Sequence, residues 1–311
     1  MATMTHDSRV GARLGPGLGL AVVSASSFGL SGPLGRGLME AGWSSAAAVA
    51  VRVLLAAVVL VPAALVQLRG RRHLLRRNAP VVVAYGLVAV AGCQLSYFNA
   101  VARMDVGVAL LVEYTAPVAV VLWLWLRHRQ RPGRLTALGA LLAVLGLLLV
   151  LDLLSGAAAN VPGILWALGA MVGAAVYFVL SAREEDGLPG TALAAGGLLL
   201  GGLVLLLAGA VGLVPFTATT RPVAFDGFTT PWWVPVLLLG VVTAALGYVA
   251  GIAATRRLGA RLASFVALTE VLMALVFAWL LLGQQPRPVQ LLGGLLTLLG
   301  VVVVRLGERR S

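Results

Sequence analysis

Two stretches, TAPVAVVLWLWLRHRQRPGRLTALGALLAVLG at residues 115–146 and TEVLMALVFAWLLLGQQPRPVQLLGGLLTLLG at residues 269–300, decide how this chain is read. They lie 154 positions apart and share Trp125/Trp279, Gln130/Gln284, Pro132/Pro286, Gly139/Gly293 and Gly146/Gly300 in one register. Leu/Val/Ala-rich segments match one another by chance, but Trp, Gln, Pro and Gly in register rarely do. The same offset aligns residues 100–150 with 254–304 and adds Arg103/Arg257. The sequence reads as a duplication.

Composition says where the duplicated unit sits. Of 311 residues, 60% are hydrophobic and 11% charged, and the mean hydropathy is +1.00. Soluble domains hold roughly 45–50% and about 25%. That arithmetic excludes a soluble enzyme, a disordered chain, a nucleic-acid-binding module and a disulfide-rich secreted scaffold. Apolar runs of about twenty residues indicate helices rather than the alternating strands of an outer-membrane barrel. The formal charge of +12 comes from 23 arginines and no lysine, most of them between apolar runs, where they anchor loops to an anionic leaflet. Cys93 is the only cysteine, so no internal disulfide can form. Residues 1–17 are polar and Gly-rich and precede a full span with no cleavage motif, so no cleavable signal is expected.

The expected fold is an all-α polytopic membrane protein of ten transmembrane helices. The runs cover 18–39, 44–68, 79–101, 106–126 and 135–151, then 162–182, 191–213, 232–255, 260–282 and 289–306. Residues 1–17 and 307–311 read as tails, 18–151 and 162–306 as two five-helix repeats, and 214–231 as an exposed loop. With both ends in the cytoplasm, inside segments carry eighteen arginines and outside segments four: Arg36, Arg103, Arg221 and Arg287. This is a positive-inside bias, so both ends face the cytoplasm. The expected location is a bacterial inner membrane. Five spans per half put equivalent loops on opposite sides. Accordingly Arg127, Arg129, Arg131 and Arg134 follow span four, whereas Arg287 alone follows span nine. Inverted repeats are an architecture of secondary transporters.

The paired 32-residue stretches resemble the drug/metabolite transporter superfamily, EamA type, and the resemblance extends over essentially the whole chain. Residues 107–120, GVALLVEYTAPVAV, are similar to the threonine/homoserine exporter branch. The resemblance implies export of amino acids or similar small metabolites through a cavity drawn from spans one, three, four, six, eight and nine. The chain departs from the family where an acidic residue often follows Gly after spans four and nine. Gln130 and Gln284 stand there, so no role of that acid carries over.

Three ionisable residues fall inside spans, Arg52, Glu113 and Glu270, and each costs about 2.5–3.5 kcal/mol near a helix centre on insertion scales. At ~1.5 Å per residue, Arg52 lies about 12 Å and Glu113 about 10 Å below the outer face, level with Gln94 and one turn from Tyr97. Arg52 and Glu113 are therefore expected at one level of a central cavity. Either they form a structural ion pair, or they hold the two ends of an amino-acid zwitterion. Glu270, near mid-membrane, is either satisfied by neighbouring hydroxyls and water or couples export to protons, because burial disfavours a charged carboxylate. Glu113 is the second candidate for proton coupling. Tyr97, Tyr114, Tyr177, Tyr248 and Asn99 suit cavity walls or plain packing. Trp43, Trp232 and Trp233 are expected as outer belt anchors, with Trp123 and Trp125 their inner counterparts. Pro117 reads as a kink. Gly139, Ala143 and Gly146 with Gly293, Thr297 and Gly300 read as close-packing faces, within the chain or in a homodimer.

A membrane-embedded enzyme is the rival class. His6, His73 and His128 lie in the tail or loops without metal-ligand spacing, and no nucleophile–His–acid set or phosphate loop is readable. No cofactor, metal or nucleic acid is expected. The expected partners are a small-molecule substrate, membrane lipids and protons. The alternative substrate class is hydrophobic cations, with the glutamates as counter-charges.

Overall fold

Backbone amides in hydrocarbon must be paired within the segment, so long apolar runs close into helices. The computed structural model of the chain describes residues 3–104, 106–114, 116, 133–150, 161–183, 187–285 and 287–308. Its helices are α1 (Thr3–Gly29), α2 (Ser31–Glu40), α3 (Ser45–Gln67), α4 (Arg72–Arg77), α5 (Ala79–Val101), α6 (Val106–Glu113), α7 (Arg134–Val150), α8 (Val161–Ser181), α9 (Gly190–Ala210), α10 (Trp233–Val266), α11 (Thr269–Leu282) and α12 (Pro288–Glu308). Six helical stretches are long and apolar enough to cross a membrane: Gly15–Glu40, α3, α5, α8, α9 and α10. Three shorter apolar helices join them, Arg134–Gly146, Thr269–Leu282 and Leu291–Gly300. The expected fourth span is described only as far as residue 116. Pro117, Trp123, Trp125, Gln130 and the arginines at 127, 129 and 131 lie outside the described residues.

The duplication is visible in the backbone. α5 carries a wide i→i+5 turn at Tyr85–Gly92, and α10 carries one at Leu238–Leu246, which is almost the same interval shifted by 154. Packing is reciprocal under the same shift: α3 lies on α9, α7 on α12, and the α1–α10 pair answers the α8–α5 pair. Directions follow from where the glycines touch. Gly17 faces Leu258 and Gly247 faces Phe28, so α1 and the first part of α10 are antiparallel. Gly163 faces Met104 and Gly173 faces Cys93, so α8 is antiparallel to α5. Gly32 and Gly35 reach Tyr97 and Phe98, so α2 ends beside the end of α5. Thus α1 and α8, which open the two halves, run in opposite directions.

Two helices interrupt themselves at matching places. α6 ends at Glu113 with Tyr114 in a turn, and α10 ends at Val266 with Ala267 and Leu268 in a turn before α11. Residues 113 and 114 shifted by 154 are 267 and 268. α10 also breaks at Gly259 (φ 78°, ψ 160°), where the chain turns back into the ninth expected span. Only glycine adopts that conformation without strain.

The helix that holds the first expected span begins at Thr3, and that span is interrupted at Leu30 between α1 and α2. The stretch expected as an exposed loop, 214–231, is mostly exposed and is an ordered strap. Within it β1 (Val223–Phe225) pairs antiparallel with β2 (Phe228–Thr230) across Asp226–Gly227, a two-residue turn with Gly227 at φ 75°. Val223 is fully buried, and Asp226 N donates to Leu281 O over 2.8 Å. Trp43 is not a lipid-facing anchor. It is 6% exposed, donates Nε1–H to Thr219 O over 2.9 Å and lies 6.1 Å from the Trp232 ring, because the strap covers it. Trp233 is half exposed. The small-residue faces of spans five and ten meet each other within the chain. A Cβ on Gly300 would lie 2.6 Å from Ala143 N and 2.7 Å from Gly139 O.

Candidate substrate cavity

Arg52 sits within the Ala-rich first half of α3, where small neighbours let α5 and α10 approach closely, and it is 1% exposed. Its Nη1 donates to Gln94 Oε1, and Nη2 donates to Thr243 O over 3.3 Å. The guanidinium carbon lies 5.9 Å from the Phe28 ring centre and 5.7 Å from that of Phe98, within cation–π range. Thr243 belongs to the wide turn of α10, and Gln94 is the second residue after the wide turn of α5. Such turns re-aim backbone and side chains inside a helix, often at functional sites. Gln94 Nε2 in turn donates to Tyr248 Oη over 3.3 Å, so two residues equivalent under the 154-residue shift touch at the molecular centre.

Glu113 ends α6. Its Oε1 lies 3.8 Å from Cys93 Sγ, which is also 3.4 Å from Ala170 O. Its Oε2 is buried with no hydrogen-bond partner among the described residues, as is Arg52 Nε. Glu270 sits in the first turn of α11, beside Tyr114 and within electrostatic reach of Glu113 and Arg52. Among the described residues the ion pair within 4 Å is Arg36–Glu40, and neither residue lines this site. Arg52 is thus held by an amide and a carbonyl, not by a carboxylate.

These groups line one interior cavity of about 80 Å³, together with Ser24, Phe28, Ser31, Tyr177, Phe178, Gly251 and Thr255. Its aromatic wall is continuous: Phe28 to Tyr248 is 5.2 Å, Tyr248 to Tyr177 is 5.8 Å and Tyr177 to Phe178 is 5.1 Å between ring centres. Gly251 is required by the close approach there. A Cβ would lie 2.0 Å from Tyr177 Oη and 2.7 Å from Ser24 Oγ. Gly251→Ala should therefore displace both hydroxyls into the cavity. We expect about a tenfold loss of transport rate at subsaturating substrate, equivalent to ~1.4 kcal/mol, with the thermal midpoint little changed. A wild-type rate in this variant would mean that the Tyr177–Ser24 end of the cavity is not used.

The structure brings together Arg52, Gln94, Tyr97, Glu113, Tyr114, Tyr177, Tyr248 and Glu270. Asn99 is elsewhere. It lines a separate groove of about 740 Å³ with Arg36, Glu40 and Trp166, and both its carbonyl oxygens accept from Arg103 Nη1 at 2.8 Å. Ser24, Ser31, Cys93, Gly251 and Thr255 also line the cavity, and no sequence signal separates them from packing residues. The spans contributing to the cavity are those the resemblance implied, with Arg52 added from the second.

Opposed helical halves, interrupted spans and a charged cavity at their meeting point define a multi-pass membrane transporter. The sequence model of the EamA-like transporter family matches residues 15–152 and 161–306. The chain belongs to that family, within the drug/metabolite transporter superfamily, whose members move small molecules and are not enzymes. The match is to the family as a whole and gives no support to the threonine/homoserine exporter branch. No curated protein matches the sequence. A solved structure described as "Crystal structure of protein" is similar in fold, with a TM-score of 0.72 at 22% identity over 94% of this chain and 98% of its own.

Proposed function

We propose that the protein exports amino acids or related small zwitterionic metabolites by alternating access, coupled to protons. The observation that carries this reading is that a guanidinium and two carboxyl groups share one cavity without pairing to one another. A zwitterion supplies both missing partners: its carboxylate to Arg52 and its ammonium to Glu113 or Glu270. Ten helices in two inverted repeats, 18–151 and 162–306, give the halves that rock about this site. Both termini lie in the cytoplasm of a bacterial inner membrane, and the strap lies outside.

A second reading, efflux of hydrophobic cations, draws on the two carboxyl groups and the aromatic wall. The cavity volume of about 80 Å³ favours small solutes, since drug-sized ligands fill pockets of about 300–1,000 Å³. Counterflow in proteoliposomes separates the two readings, using labelled neutral amino acids and one lipophilic cation, with and without a pH gradient. Saturable amino-acid exchange supports the zwitterion, and exchange of the cation alone overturns it. Glu270→Gln should keep amino-acid counterflow but lose accumulation driven by the gradient. Full gradient dependence in that variant would remove Glu270 from coupling.

A further inference from the structure

Three buried hydroxyls lie on the side of the cavity that leads to the end of α8. Tyr85 Oη, Tyr177 Oη and Ser181 Oγ are each buried with no hydrogen-bond partner among the described residues. Tyr85 and Ser181 are fully buried. Leaving such hydroxyls unsatisfied in a buried cluster is costly, so three together call for an occupant. They are contiguous. Tyr85 opens the wide turn of α5, Tyr177 and Ser181 stand one turn apart on α8, and Ser181 Oγ stands next to Tyr85 Oη without meeting hydrogen-bond geometry. The Tyr85 and Tyr177 ring centres are 6.0 Å apart, and each lies within 6.4 Å of Tyr248. Tyr248 accepts from Gln94, which accepts from Arg52. The polar atoms thus run from the cavity centre to the last residue of α8, between aromatic rings.

We propose that Tyr177, Tyr85 and Ser181 hold a file of water molecules that carries protons between the α8 end and the cavity carboxyl groups. Each water needs two to four polar partners, and the three hydroxyls with Tyr248 supply them. A hydroxyl or water passes a proton by accepting one and releasing another, so the file keeps its composition and its members turn back before the next transfer. The titratable groups facing it are Tyr248, Cys93 and Glu270, with Arg52 and Glu113 behind them. The proton-carrying part rests on the proton-coupled reading above, whereas the presence of water does not.

The two parts are therefore tested separately. X-ray hydroxyl-radical footprinting of the intact protein in lipid uses bound water itself as the probe. Tyr85 and Tyr177 should be labelled despite their burial, and Phe98, 1% exposed, should not. Labelling of Tyr85 no greater than that of Phe98 overturns the water file. For proton delivery, Tyr85→Phe combined with Ser181→Ala removes only the hydroxyls and no side-chain carbon, and deleting unsatisfied groups does not impair folding. Counterflow of labelled neutral amino acids at equal pH should stay within about twofold of wild type, while accumulation driven by the pH gradient should fall about tenfold, ~1.4 kcal/mol. Wild-type accumulation in the double variant overturns the proton role. A wild type indifferent to the gradient overturns the coupling reading and leaves footprinting to decide the file.

Discussion

Arg52→Gln is expected to reduce substrate counterflow by about 30-fold or more, ~2 kcal/mol, the lower end for removing one side of a buried, hydrogen-bonded charge pair. Arg52 is the cation of the cavity among its described lining residues, and two of its five donors are engaged, by Gln94 Oε1 and Thr243 O. The remaining N–H groups, Nε included, point to the role of a carboxylate receptor. Glutamine can restore one neutral hydrogen bond to Gln94 or Thr243, so the fold should survive while the charge is lost. Arg52→Lys keeps the charge without the planar fork and should recover part of the rate. Glu113→Gln should weaken the other end of the same solute. Thermal midpoints in detergent decide between binding and structure. Loss of folded protein in both Arg52→Gln and Glu113→Gln would make these charges packing elements, and the zwitterion reading would fall.

Some of this site was legible because membrane energetics is indifferent to fold detail. A charge inside a span is expensive wherever it lies, so Arg52, Glu113 and Glu270 stand out from the sequence alone. The positions of the helices were also legible, since apolar length is set by bilayer thickness: α5 occupies the expected 79–101. What the sequence hid were groups that look like packing. Thr255 Oγ1 donates to Gly251 O in its own helix, and Ser24 Oγ donates to Gly247 O, so both satisfy themselves and cost little when buried. The break at Glu113–Tyr114 had a local signal, since Pro117 lacks the N–H that would bond Glu113 O, whereas Ala267–Leu268 has no Pro or Gly within four residues to mark it. The Asp226–Gly227 turn had a local signal, and reading 214–231 as loop hid the strap that takes Trp43 away from lipid. Asn99, five residues past Gln94, lies outside the site in a separate groove, where Arg103, one turn on, donates to both its oxygens.

Gly173→Val should be the most destabilising single change in the packing around the cavity. α8 crosses α5 at this point, and a Cβ on Gly173 would stand 2.3 Å from Cys93 Cβ, 2.7 Å from Cys93 Cα and 3.0 Å from Val88 O. Two of those three atoms are backbone, so no rotamer change relieves the clash and the helices must separate. Overpacking of this kind costs about 3 kcal/mol at the upper end of its usual range. In a chain of this size that corresponds to a fall of roughly 6–12 °C in thermal midpoint. Gly294→Ala is the control: its Cβ meets Leu272 Cδ2 alone, at 2.8 Å, and that methyl group can swing aside. It should melt within about 2 °C of wild type, as expected for under 1 kcal/mol. The site depends on the same crossing, because Cys93 reaches Glu113 Oε1 from the residue that Gly173 admits. Forcing the helices apart moves Cys93 and Gln94 together, so the Arg52 anchor shifts with them and counterflow should disappear even in the fraction that stays folded. A Gly173→Val protein that melts and transports like wild type would mean that α8 and α5 do not meet at this crossing. The placement of Glu113 at the cavity wall would then have no support.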